Sequence, residues 1–199
     1  MYNDNFADIF ANLKDGDCLG FYRGGIFKYF IPLATGGDCN HVGICYNVKR
    51  EGDILSFNFS QQTFHGGKFD VVKIYKTADS YITDDAYFVK QDIIYYCQLK
   101  QPLTEQGRLN GIADATNQIG KKYGYLELAL GFEFLERILP RFIKDLIFRL
   151  SKHWKRVCST HAEKNCIANG SIKPTKDFFT TPIEFLKSPE FSCKQFSTF

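Results

Sequence analysis

Two residue types in this chain can carry nucleophilic chemistry near neutral pH. There are seven cysteines, at positions 18, 39, 45, 97, 158, 166 and 193, and four histidines, at 41, 65, 153 and 161. Cys158 stands out because Cys158-Ser-Thr-His-Ala-Glu-Lys-Asn-Cys166 reads as a short helix with the thiol at its start. Ser159 or Thr160 is expected to cap that helix and leave Cys158 in or just before the first turn. Unpaired N–H groups and the positive end of the helix dipole stabilise a thiolate there. The competing reading of Cys158 is a small buried hydrophobe.

A thiolate nucleophile needs a base within hydrogen-bond reach and a group that orients the base. His41 begins an apolar strand after the Gly36-Gly37-Asp38 loop, which places its ring at a sheet end. His161 lies three residues after Cys158 on the same helix and is read as a structural residue near the site. His65 belongs to a Gly-rich turn and His153 to a basic face. The cysteines form no CxxC pair and no zinc-like Cys/His spacing, so neither a metal nor a cofactor is expected.

The elements that position these groups follow from periodicity. Residues 5–13 have helical apolar spacing, and strands are predicted over 18–22, 41–48, 54–60, 69–75 and 91–99, joined by turns. In the 54–60 segment Leu55, Phe57 and Phe59 share one face, with Ser56, Asn58 and Ser60 on the other. After Pro102 the pattern turns helical, over 104–120, 126–139 and 141–155 and again from Cys158 to a stop at Asn169-Gly170. A short helical piece is expected at 26–33 and another turn at 183–186. Strands first and helices second give an α+β class, with an antiparallel sheet or small barrel packed against helices.

The 199 residues fit a single domain over 1–199 with a helical insertion at about 126–156. A formal charge of +3 is too small to argue for nucleic acid, and no nucleic-acid reader motif occurs. No run of 18 apolar residues exists to span a membrane. An odd cysteine count and no secretory signal point to free thiols in a reducing, cytoplasmic setting.

Five short motifs occur in order: Leu13-Lys-Asp-Gly-Asp17, Asn40-His-Val-Gly-Ile44, a following strand ending in polar residues, Gly120-Lys-Lys-Tyr-Gly-Tyr125, and Val157-Cys-Ser159. Together they resemble the permuted NlpC-type papain-like cysteine hydrolases, the YaeF/YiiX-like group, over roughly residues 13–75 and 109–188. The resemblance implies a circularly permuted papain-like fold with Cys158 as nucleophile and His41 as general base. It implies an orienting residue on the strand after the histidine strand, where the group often has a glutamate. Here that strand offers Ser56, Asn58 and Ser60, with Gln61 and Gln62 just beyond. Asn58 is chosen, because an amide oxygen can accept from an imidazole N–H and fix its tautomer. Tyr123 and Ser159 are expected to line the substrate cleft, and Asp17 to order the first turn.

The chemistry implied is acyl transfer on an amide, ester or thioester, with a peptide or cell-wall amide or a lipid-like acyl substrate. The amphipathic, Lys/Arg-rimmed segment 126–156 reads as a helical hairpin on the sheet. Its sharper alternative is a peripheral membrane contact. A different class altogether is a catalytically silent binding or structural protein on the same scaffold.

Overall fold

Strands that alternate apolar and polar side chains need one cover, and strands that are apolar on both sides need two. This chain has both kinds. A computed structural model describes residues 4–22, 39, 41–63, 65–83, 92–122, 158–173 and 182–196, with backbone alone at 4, 5 and 92–94. Its elements run α1 (Asp4–Asn12), β1 (Cys18–Tyr22), β2 (His41–Glu51), β3 (Ile54–Thr63), β4 (Gly66–Lys76), β5 (Tyr81–Thr83), β6 (Asp92–Leu99), α2 (Glu105–Asn117), α3 (Cys158–Ala168), α4 (Pro182–Leu186) and β7 (Phe191–Gln195). Among the described residues seven strands form one antiparallel sheet, in the order β5-β4-β3-β2-β1-β6-β7, curled into a half-barrel. The α+β class expected from the sequence is the one observed.

The two faces of the sheet are distinct in composition. Leu19, Phe21, Cys45, Leu55, Phe57, Phe59, Val72, Ile74 and Tyr96 share one face and pack against Phe6, Ile9 and Leu13 at α1. Cys18, Val42, Ile44, Tyr46 and Cys97 share the other and pack against Ala162 and Cys166 of α3 and against Ile183, Phe185 and Leu186 of α4. Full burial of one such large apolar side chain contributes about 1.5–3 kcal/mol. With both faces covered, β1 and the first half of β2 are buried at nearly every position, which is why they read as continuous apolar runs.

The expected Asp15-Gly-Asp17 turn is present, and Asp17 orders it. Its carboxylate accepts from the Lys14 N–H (2.9 Å), the Leu99 N–H (2.9 Å) and the Tyr96 hydroxyl (3.0 Å), joining the turn to β6. The helix expected at 104–120 is α2. Thr104 caps it by accepting from the Gly107 N–H at 3.0 Å, which satisfies one of the donors left over at a helix start.

Several expectations need correction. β5 and β7 were not legible as strands: β5 is three residues long, and β7 is a five-residue edge strand with four exposed positions. β7 returns after the helices to pair with β6, placing Cys193 opposite Cys97, and the two form a disulfide. The expectation that no cysteine is disulfide-bonded therefore holds for five, at 18, 39, 45, 158 and 166. The helical segments expected at 26–33, 126–139 and 141–155, with the insertion 126–156 and its membrane contact, lie outside the described residues. No described helix is long and apolar enough to cross a membrane.

Two stability predictions follow from these contacts. The Cys97–Cys193 bridge closes a sequence separation of 96 residues. By chain entropy a loop of that order is worth up to about 4.7 kcal/mol, against about 2–4 kcal/mol for disulfides in general. Reduction or Cys193→Ser is expected to lower the denaturant midpoint accordingly, with an unchanged midpoint refuting the bridge. Burial raises the Asp17 carboxyl from 3.8 to about 6, despite the three donors. The folded state therefore holds this proton more tightly than the unfolded chain does. Its contribution is fully present below pH 3.8 and is lost as pH rises through about 6. The expected loss is up to about 3 kcal/mol. Chemical denaturation of wild type and Asp17→Asn between pH 4 and 7.5 measures it, and parallel pH profiles would sink the assignment.

Candidate active site

His41 is the first residue of β2 and is almost fully buried. Register places Phe21 of β1 opposite it, and the two rings lie 6.2 Å apart between centroids. Two residues along β2, Gly43 faces Gln61 of β3. A Cβ on Gly43 would lie 2.3 Å from the Phe59 ring and 2.7 Å from the Ser60 carbonyl oxygen, so only glycine fits there. The Gly of the His-Val-Gly-Ile motif thus makes room for Phe59, which in turn meets Phe21 edge-on at 5.5 Å. These rings form an apolar wall around the imidazole.

The residue that holds His41 is Gln61. Its side-chain oxygen Oε1 lies 2.9 Å from His41 Nε2, and both side chains are buried. An amide oxygen only accepts, so Nε2 carries the hydrogen and Nδ1 carries the lone pair of the neutral ring. This corrects the choice of Asn58. Asn58 lies opposite Tyr46, three ladder positions further along, and accepts from the Asn47 side-chain N–H at 3.1 Å. Asn47 has φ 53° at the irregularity in the β2–β3 ladder, a left-handed conformation that asparagine tolerates. Its own side-chain oxygen accepts from Arg108 at 2.8 Å. Asn58 therefore supports the bulge. The polar run Ser60-Gln61-Gln62 was visible in the sequence, and counting register back from His41 and Gly43 would have singled out Gln61.

Cys158 opens α3 and is nearly buried, and Ser159, the next residue, is buried as well. The helix starts at the thiol, so Ser159 and Thr160 lie inside its first turn rather than at its cap. The direction of α3 follows from its polar contacts. His161 Nε2 lies 2.9 Å from Ser60 Oγ, and Ser60 pairs with Ile44. Further along, Asn165 Oδ1 accepts from the Tyr46 hydroxyl at 2.6 Å, and the Asn169 side-chain amide donates to the Tyr46 hydroxyl oxygen at 2.7 Å. The helix thus runs along β2 in the strand's own direction, and its first residue, Cys158, lies at the end where β2 begins with His41. The faces differ: α3 covers the face of Val42, Ile44 and Ser60, whereas alternation puts His41 and Gln61 on the face of Phe21 and Phe59.

Gln62 adds a tie at the same end. Its amide N–H donates to the Lys121 carbonyl at 2.8 Å, drawing the chain just before Tyr123 onto the end of β3. Tyr123 itself, offered by the sequence as a cleft residue, lies outside the described residues, as does His153. His65 is exposed in its turn, and His161 is buried against Ser60, each in keeping with the sequence reading. Among the described residues no cluster of three His, Cys, Asp or Glu side chains is arranged to hold a metal.

The remaining thiols differ from Cys158 in setting. Burial pushes Cys18 and Cys45 well above the ordinary thiol range, and the neighbouring Cys166 raises Cys18 further. Neither sits at a helix start, so both remain neutral packing groups.

The Gln61 assignment has its own test. Nitrogen-15 NMR of His41 is expected to show the Nε2–H tautomer. Gln61→Leu should abolish that preference and cost about 1–3 kcal/mol of stability through the orphaned ring N–H. Asn58→Ala should leave the tautomer unchanged; an effect of Asn58→Ala alone would restore the original choice. No protein-family model and no curated protein matches this chain, so the site is read from its own geometry.

Proposed function

We propose that this chain is a cysteine hydrolase or acyltransferase of permuted papain-like design, with Cys158 as nucleophile, His41 as base and Gln61 as the group that orients His41. The observation that carries the proposal is the Gln61–His41 hydrogen bond, because it leaves the basic nitrogen of a buried imidazole at the end of the sheet where α3 begins with a thiol. A buried histidine with a fixed tautomer and a helix-start cysteine at one end of a strand are the parts that activated thiols require. The two groups stand on opposite faces of β2 near its first residue, and the proposed reaction requires them to meet around that end of the strand.

In the proposed reaction His41 Nδ1 takes the proton of Cys158, and the thiolate attacks a substrate carbonyl. The tetrahedral oxyanion is stabilised by N–H groups in the first turn of α3. Collapse returns the proton from His41 to the departing amine, alcohol or thiol and leaves a thioester on Cys158. Water, or a second acceptor, attacks that thioester with His41 again taking a proton, and Cys158 is released as the thiol. The bond broken is an amide, ester or thioester, in a peptide or a lipid-like acyl compound. We place the chemistry in the cytoplasm, where Cys158 and the other four cysteines outside the disulfide stay reduced; the Cys97–Cys193 disulfide is the feature that counts against that setting.

The test is the rate of iodoacetamide alkylation at Cys158, followed by peptide mass from pH 5 to 9. A thiol stabilised as thiolate by a helix start and an imidazole is expected to react with an apparent pKa of about 4–7.5, against about 8.5 for a free cysteine. His41→Ala is expected to return the profile to the ordinary range. If wild-type Cys158 reacts no faster near neutral pH than an ordinary thiol, the chain is instead a silent binding protein on this scaffold.

A further inference from the structure

Ser60 and Gln61 are consecutive on β3, and each makes one buried hydrogen bond to one histidine. Gln61 Oε1 lies 2.9 Å from His41 Nε2, and Ser60 Oγ lies 2.9 Å from His161 Nε2. Consecutive strand residues point to opposite faces, so these two bonds leave β3 in opposite directions. One reaches the base at the start of β2; the other reaches the first turn of α3, where His161 is three residues after Cys158 and on the same side of the helix. Both Ser60 and His161 are fully buried, so nothing from solvent replaces their bond when it is lost.

We propose that Ser60 and His161 are positioning residues for the Cys158 thiol, fixing the start of α3 against β3 so that the sulfur is held in register with the His41–Gln61 pair. The inference rests on the functional reading above. It gives the buried histidine one turn from the nucleophile a role other than base: its Nε2 is bonded to Ser60, which ties the first turn of α3 to β3. It also explains how groups on two faces of a sheet are kept within reach of each other. A single rigid strand, β3, carries both anchors on adjacent residues, so the relative placement of base and nucleophile depends on one peptide unit rather than on the long path through 64–157. The apolar contacts of α3 cannot do this alone, because Ala162 and Cys166 are small and grip the sheet with little shape.

A purely structural Ser60–His161 bond would alter stability only; a positioning bond also alters how the thiol titrates. The pH profile of Cys158 alkylation is therefore measured in wild type, Ser60→Ala, His161→Phe and His161→Gln, each checked for folding by near-ultraviolet circular dichroism. Loss of one buried hydrogen bond to the first turn is expected to slow alkylation at pH 7 on the order of tenfold, with the apparent thiol pKa moving upward, in Ser60→Ala and in His161→Phe. His161→Gln, which keeps a polar group at the reach of Nε2, is expected to recover most of the rate. If Ser60→Ala or His161→Phe is folded and keeps the wild-type profile, the positioning role is overturned while the Cys158 assignment stands. A His161→Gln loss as large as that of His161→Phe overturns it equally. Should both truncations fail to fold, Ser60→Thr, which displaces the hydroxyl without removing it, takes their place under the same criterion. An ordinary thiol profile in wild type itself overturns the functional reading instead.

Discussion

The hydroxyl of Tyr46 is the atom on which the arrangement of the second layer depends. It donates to Asn165 Oδ1 at 2.6 Å and accepts from the Asn169 side-chain amide at 2.7 Å, so one oxygen on β2 holds both the last turns of α3 and the residue just past its end. Asn165 passes the constraint on, donating to the Gly111 carbonyl of α2 at 2.8 Å and to Asp114 at 3.1 Å. Gly111 is required by the same contact, since a Cβ there would fall 2.3 Å from the phenol oxygen. Burial raises the Tyr46 phenol far above its ordinary range, so the hydroxyl keeps its proton, and its role as donor, at any pH the protein meets. Removing one partner from such a buried network costs more than the bond itself, about 1–3 kcal/mol for each orphaned group.

Polar contacts of this kind set a position, whereas apolar contacts set a preference. α1 and the residue after it seat Phe6, Ile9 and Leu13 in the large-residue face of the sheet, and the helix's placement tolerates small slips as long as those side chains stay covered. α3 is built differently. Its buried positions are Cys158, Ser159, His161, Ala162, Asn165 and Cys166, small or polar throughout. Small residues let the helix lie close to β2, and His161 and Asn165 admit one geometry in which their hydrogen bonds are made. A helix shifted by one residue would leave Tyr46, Ser60, His161 and Asn165 buried without those partners. The penalty for a wrong register is therefore steep, which suits a helix whose first residue is the nucleophile we propose.

Much of the sheet was legible in the sequence because it has strong periodic signals. Leu55, Phe57 and Phe59 alternate cleanly, and the Asp17 turn and the Thr104 cap use residues whose side chains bond their own backbone neighbours. What could not be read was whatever depends on a distant partner. β7 carries a single buried residue among its five, so alternation gives it no signature; it exists because β6 offers an open edge. The disulfide was hidden for the same reason, since Cys97 and Cys193 become neighbours only once β7 is in place. The orienting residue was misplaced from Gln61 to Asn58 by choosing side-chain chemistry ahead of register: both are amides, but only Gln61 lies diagonal to His41 across the β2–β3 ladder.

A neutral amide beside a buried imidazole has a consequence for the proposed chemistry that a carboxylate would not share. Gln61 fixes the tautomer of His41 but adds no negative charge, so it does little to stabilise the ring once protonated. In the apolar surroundings set by Phe21 and Phe59, a glutamate at 61 would itself be costly to ionise, and its proton would compete with the one on Nε2. Glutamine avoids that ambiguity. The ion pair of thiolate and imidazolium then has to draw its stabilisation from the α3 side, from the N–H groups and dipole of the first turn. The placement of that turn, fixed through Ser60–His161 and through Tyr46, accordingly bears more of the demand than it would in a site with a charged third member. On this reading the polar seating of α3 and the neutral partner of His41 are two halves of one design: the less charge the strand supplies, the more the helix start must be held in place.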